Sequence, residues 1–303
     1  MKLGWCAPRN GKIRNSFLNL IVLGTAVLAL PPNLGAQIET QVERLVKNGP
    51  GGPAPKHDLF GAWAGNIGAN SIARPNRVPF AGQAKVERPS FTPLGQAQFK
   101  LNKPGTFSTT SNDPYLKCDP WGFPRNLLQE SKGIAFGQMP DRIIILSQYA
   151  RVGRIVWMDG RELPKNVGAK DGPKSRWYGY SVGHWDGDYT LVVNTNGLVA
   201  NSWLDQEGHP HSADMRVEER YTRVSYNVLE ATATVDDPKY YTKPFVLTTN
   251  TYRWIPSTLP EFGTTGEFDE QFCVPSDMEE YNKIMLGSDE DQAAGQKQPG
   301  GKK

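Results

Sequence analysis

Three dipeptides, Asp159-Gly160, Asp186-Gly187 and Asn196-Gly197, punctuate short runs rich in β-branched and aromatic residues. Asp-Gly and Asn-Gly suit the tight type I′ turn, which needs positive φ at both central residues. They separate IVWM from REL, YGYSVGHW from DYTLVV, and TLVVNT from LVANSW. Two hairpins sharing DYTLVVNT make a meander. The runs GIAFGQM, DRIIILSQY and GRIVWMD precede it, and DMRVEERYTRVS, NVLEATATV and FVLTTNTYRW follow, with FDEQFCV as a candidate closing strand.

Eight to ten antiparallel strands with sequential hairpins bury their edges most simply in a closed or strongly curled, lipocalin-like barrel. A two-sheet sandwich is the rival. With 31 glycines, 24 prolines and 10% aromatics, the composition suits strands and turns better than long helices. The stretch from Asp58 to about Glu130 reads as irregular. Its one helix signal is Thr92-Pro93, with Thr as N-cap and Pro at the first helical position.

The chain begins with a segment that does not belong to this fold. Lys2, Arg9, Lys12 and Arg14 precede the apolar run FLNLIVLGTAVLAL, Pro31 and Pro32 break it, and Leu34-Gly35-Ala36 offers a small residue before a cut. This is the tripartite pattern of an export signal. The run is shorter than the ~20 residues of a spanning helix, so no stable membrane span is expected after cleavage. The domain plan is a signal peptide over 1–36, a Gly/Pro linker over 37–57, one β-rich domain over 58–286 and a polar, disordered tail over 287–303. Removing the leader takes the net charge from +3 to about −1, which argues against nucleic-acid binding. Cys118 and Cys273 then remain as an even pair in an oxidising compartment, which predicts one disulfide.

Several motifs could carry chemistry. Gly179–Gly183 reads G-x-S-x-G, but Ser181 runs into a hairpin and not into the helix that a nucleophile elbow requires. Asp186 and Asp188 look like a carboxylate pair, yet turn chemistry already explains Asp186. In His209-Pro210-His211 an extended chain would put both imidazoles on one side, as a metal needs, with His184, Glu218 or Asp205 as a third ligand. No Cys cluster or HExxH pattern supports this, and a loop whose histidines hydrogen-bond carboxylates or backbone is favoured. Nothing singles out a cofactor.

Along DMRVEERYTRVS, Met215, Val217, Glu219, Tyr221 and Arg223 share one face, and Arg216, Glu218, Arg220, Thr222 and Val224 share the other. Solvent accommodates one charged row. The other belongs in or near the core, where charges must pair. Paired charges beside Trp157, Trp177, Tyr178, Tyr180 and Trp185 would line an amphipathic pocket.

The segments RIVWMDGRELP, WYGYSVGHWDGDYTLVVNTNG, LDQEGHPHS, MRVEERYTR and DDPKYYTKPF resemble a large family of secreted proteins of environmental bacteria, usually described as hypothetical. The likeness runs from about Asp58 to Cys273 and is densest between Arg154 and Phe245. That family has no established activity, so the resemblance supplies no catalytic residues. It implies that the HWDGD turn and the HPHS and ERY segments belong to one recurring design.

These observations lead to a periplasmic or secreted barrel that binds a small, partly apolar molecule. The candidate contacts are Trp157, Tyr180, His184, Trp185, His211, Glu218, Arg220 and Tyr221, with His184, His211, Glu218 and Arg220 converging on one polar patch. The alternatives are a hydrolase, isomerase or lyase using His184, His211 and Glu218, and an envelope structural or interaction protein. N-terminal sequencing of the mature protein is expected to show cleavage near Ala36. A mature chain retaining Phe17–Leu30 would make the leader an anchor.

Overall fold

The computed structural model describes residues 45–65, 88–105, 107, 109–129, 133–147, 152–256 and 273–286. The expected leader and tail, and most of FDEQFCV, lie outside the described residues. The strands are β1 (Gly61–Gly65), β2 (Ile134–Met139), β3 (Arg142–Ser147), β4 (Val152–Trp157), β5 (Tyr180–Asp186), β6 (Thr190–Asn196), β7 (Arg216–Ser225), β8 (Val228–Asp236) and β9 (Phe245–Ile255). They close into a barrel in sequence order. Among the described residues, α1 (Pro93–Leu101) and α2 (Pro275–Leu286) accompany it, with 3-10 helices at Pro114–Lys117 and Arg125–Gln129. Neither α-helix is long and apolar enough to cross a membrane.

The mostly β barrel expected from the turn pattern is therefore present, with three differences in detail. The first is β1, which closes the barrel by pairing with β2 and with β9. Its sequence, GAWAG, is short and poor in strand formers, so only its two neighbours make it a strand. The second is the junction of β4 and β5, which pair in parallel. Asp159-Gly160 thus opens a long crossover and not a hairpin, since parallel neighbours need such a connection. Gly160 has the positive φ (+80°) that its turn signal implies, but a turn dipeptide fixes local backbone and not where the chain goes next. The third is Asn196-Gly197. Gly197 also has positive φ (+71°), yet the chain leaves it into a parallel bridge, Arg176↔Leu198, and then loops to β7. Asp186-Gly187 does make the expected β5–β6 hairpin. Thr92 caps α1 as its sequence predicts, accepting from Gly95 N at 3.1 Å.

Cys118 and Cys273 form the expected disulfide, with Cα atoms 5.3 Å apart. It ties the Pro114–Lys117 turn to the segment before α2 across 155 residues. In chain-entropy terms a closure of that length contributes roughly 4–5 kcal/mol. The part of the linker that is described docks on the barrel: Tyr226 N donates to Gly52 O, Asn227 N to Pro50 O and His57 N to Asp188 O.

Among the described residues, two apolar clusters occupy the lumen. One apolar cluster contains Trp63, Phe136, Ile143, Val156, Leu191 and Tyr252. A second contains Phe123, Leu127, Leu204, Val217, Tyr241 and Leu247, so the Arg125–Gln129 turn contributes to plugging that end. A polar layer lies between them, as β7 makes plain: Val217 belongs to one cluster, Tyr221 to the other, and buried Glu219 stands between. Arg154 on β4 meets Glu219 in two hydrogen bonds of 2.6 Å. Arg154 also donates to Thr195 at 3.2 Å and Ser181 at 3.4 Å, and Tyr221 donates to Glu219 at 2.6 Å.

This is the inward charged row that the β7 alternation required. Its charges are paired, as buried charges must be: Glu219 with Arg154, and Arg223 with Asp58 and the Tyr226 carbonyl. A void among the described residues beside Asn250 and Ala231 is about 10 Å³, room for roughly one water. Glu219→Gln is expected to destabilise by about 3–5 kcal/mol by stranding the Arg154 charge. Arg154→Met with Glu219→Leu should cost less than either single change. Urea unfolding of the wild type, Arg154→Met, Glu219→Leu and the double variant gives the coupling, and additive losses would contradict it.

Candidate functional site

The residues singled out by sequence fall in different places. His184, Glu218 and Arg220 are exposed on the outer barrel face, where Val192 separates His184 from Arg220 across the sheet. Arg220 pairs there with Asp186 and approaches Glu218 at 4.0 Å. Tyr221 points the other way, into the lumen. Trp185 covers one apolar cluster and stacks on His57 with centroids 5.0 Å apart. Trp157 lies under the guanidinium groups of Arg142 and Arg161, at 4.3 and 3.6 Å. Tyr180 donates to Lys174 O at 2.8 Å beneath Arg176. His211 is buried in the loop before β7. The expected convergence of His184, His211, Glu218 and Arg220 is thus corrected: strand alternation holds three of them in solvent, while the loop carries His211 under the chain.

Ser181, in the G-x-S-x-G stretch, is buried between Arg154 and Thr195 on a strand. His209 and His211 do not share a partner. Asp205 accepts from the backbone N–H groups of Glu207 and His209 at 3.0 and 3.1 Å, and both its oxygens meet His209 Nδ1, at 2.9 and 2.8 Å. Asp205, Glu207 and His209 bring donor atoms within 4.8 Å of one another. The Asp205 carboxylate is already occupied in shaping this turn, and the His209 ring stacks on Phe99 with centroids 4.9 Å apart.

His211 has a different environment. Its Nδ1 lies 3.1 Å from Ser212 O and its Nε2 lies 2.8 Å from Ser202 Oγ. A carbonyl only accepts, so Nδ1 carries the proton and Nε2 presents its lone pair to the Ser202 hydroxyl. Ser212 is itself anchored, since Asp237 accepts from its N–H at 2.6 Å and from its hydroxyl at 2.8 Å. Tyr241, whose own hydroxyl is held well above its usual range by burial, donates to Pro210 O at 2.7 Å and fixes the loop from the other side. Burial pushes the His211 pKa down, with the Ser212 carbonyl and Asp237 opposing. The imidazole is therefore neutral at pH 7.

Ser202, itself buried, is among the residues lining a cleft of about 280 Å³ between α1, the Pro114 turn and the 200–210 loop. Trp203, Pro210 and Tyr240 supply apolar wall, and Asn102 and Asn112 supply amides. Asn102 donates to Gly208 O at 2.7 Å, and Asn112 bridges Leu101 O and Lys103 N. Behind the serine, a Cβ at Gly122 would stand 2.6 Å from Ser202 Oγ, so only glycine lets that backbone pack against the hydroxyl. A larger groove of about 660 Å³ runs beside Glu162–Val167 and Ala213–Arg216. It is lined by a loop and charged termini, and none of its lining groups is paired for chemistry as Ser202 and His211 are. Sequence reasoning found His211 through the H-P-H pattern but missed Ser202 and Asp237, which carry no local signature.

His211 gives a pH prediction. Its folded pKa lies below the unfolded value of about 6.5, so the unfolded chain binds the proton first. Stability is then lost as pH falls below about 6.5 and is restored as pH rises through that window. Urea midpoints measured between pH 8 and 5 should fall for the native protein and fall less for His211→Gln. Equal slopes would show that His211 does not carry the effect.

Set against known proteins, the chain matches no family model, no curated protein and no solved structure.

Proposed function

We propose that this chain is an exported barrel protein that binds a small, neutral, partly apolar molecule in the Ser202 cleft. Export rests on the leader and on the disulfide, which persists in oxidising compartments. The likeness to secreted bacterial proteins points the same way. The placement of the site differs from the lumen pocket that the strand pattern suggested, because the lumen is occupied by side chains.

One observation carries the reading. The cleft wall combines aromatic rings and prolines with the amides of Gln98, Asn102, Asn112 and Asn201, and contains no charged side chain. Such a wall favours a ligand with apolar surface and a few hydrogen-bonding groups and penalises an ion. At about 280 Å³ the cleft lies at the lower end of the roughly 300–1,000 Å³ typical of small-ligand sites.

Native mass spectrometry of the protein recovered from its own cell envelope is expected to show a neutral adduct at one per chain. Ala200→Trp, which fills the cleft mouth from an exposed position, should abolish it. Glu218→Gln with Arg220→Gln, on the outer face, should leave it intact. An adduct that survives Ala200→Trp and disappears in the outer-face variant would move the site to that face.

A further inference from the structure

We propose that Ser202 is a nucleophile, activated by His211, and that the cleft hydrolyses neutral carboxylic esters. This rests on the cleft as the binding site and adds a reaction to it.

Three features distinguish the pair from an ordinary buried hydrogen bond. The first is the tautomer. Ser212 O, at 3.1 Å from Nδ1, fixes the imidazole so that Nε2 faces Ser202 Oγ at 2.8 Å. A serine hydroxyl is a weak nucleophile until such a base stands within reach of its proton, with a third group orienting that base. Here a backbone carbonyl takes the orienting place. The second is the protonation state. The residue is only 1% exposed, and burial holds the ring neutral, with the Nε2 lone pair turned to Ser202. Asp237, bound to the adjacent Ser212, is near enough to favour the cation once it forms. The third is position. His211 is sealed from solvent, and Ser202, itself only 4% exposed, is among the residues that line the cleft, so the serine stands between the base and the cleft.

The chemistry closes on these groups alone. Ser202 Oγ adds to the ester carbonyl carbon while its proton passes to His211 Nε2. Collapse breaks the carbon–oxygen bond to the leaving group, which takes that proton from His211 and departs as an alcohol. Water then adds to the acyl-serine in the same way, releasing the carboxylic acid and restoring the Ser202 hydroxyl. The uncharged wall suits esters, whose carbonyl and alkoxy oxygens only accept hydrogen bonds; the side-chain amides of Gln98 and Asn201 stand on the same wall and provide donors.

The test uses the mature, disulfide-intact protein and two probes, an alkyl fluorophosphonate and p-nitrophenyl butyrate. The expected results are one phosphonyl adduct per chain, mapped to the peptide containing Ser202, and a burst of one equivalent of p-nitrophenol. Ser202→Ala should lose the adduct and at least 100-fold of the esterase rate while remaining folded by circular dichroism. His211→Gln should lose labelling too. If that variant does not fold, Ser202→Ala decides the matter alone. An unlabelled Ser202 in folded protein, or an adduct on another residue that Ser202→Ala leaves in place, overturns the proposal. Capture of the native ligand without labelling would overturn the nucleophile and leave the binding site standing. Labelling of Ser202 that Ala200→Trp does not block would support the nucleophile and overturn the cleft as its access route.

Discussion

The bidentate contact between Arg154 and Glu219 is the constraint around which the rest of the molecule is arranged. Both groups are buried at mid-barrel, and two charges taken out of water are tolerable only when they meet with good geometry and their remaining hydrogen-bonding capacity is used. Ser181, Thr195 and Tyr221 contribute to that. The pair links β4 to β7 across the lumen, so it fixes the relative register of two strands that do not pair with each other. Phe123 lies 4.1 Å beneath the guanidinium, which brings the 121–129 plug against the same layer. In a barrel built this way, side chains of the described residues occupy the middle of the lumen.

The barrel's flank is shaped by the connections. The crossover from β4 to β5 and the loop from β6 to β7 are held together by the Arg176–Leu198 bridge, and the second of these loops carries Ser202, Asp205, His209 and His211. Buried carboxylates organise it. Asp205 closes its own turn and Asp237 reaches in from the end of β8. Asp113 and Arg125 make a further buried bidentate pair, at 2.8 and 2.7 Å, between the neighbouring 3-10 helices. A loop so thoroughly hydrogen-bonded is stiff. That bonding holds the His211 ring between Ser212 O and Ser202 Oγ.

Much of the fold was legible in the residue pattern. The alternation along β7 separated Glu219, Tyr221 and Arg223 from Glu218 and Arg220 correctly, because a strand's side-chain period is two whatever surrounds it. Cysteine count and compartment gave the disulfide. The Thr-Pro step gave the start of α1. Glycine positions gave positive φ at 160, 187 and 197. Of these three turns only the one at 187 is a hairpin, since backbone preference at two residues says nothing about the partner of the next strand.

The sequence by itself therefore determined the local quantities: which faces are apolar, where the chain can turn tightly, and that one charged row must be buried. Tertiary structure alone decided which residues meet. It made a strand of GAWAG by placing β2 and β9 beside it, paired β4 with β5 in parallel, and sent His184 to solvent while enclosing His211. It also set Ser202 against His211 across the bend of a loop and brought Asp237, just past the end of β8, to hold Ser212. The physical reason is that alternation and turn propensity act over a few residues. The contacts that make a site depend instead on the burial and hydrogen bonding of segments distant in sequence, which are settled only when the whole barrel closes.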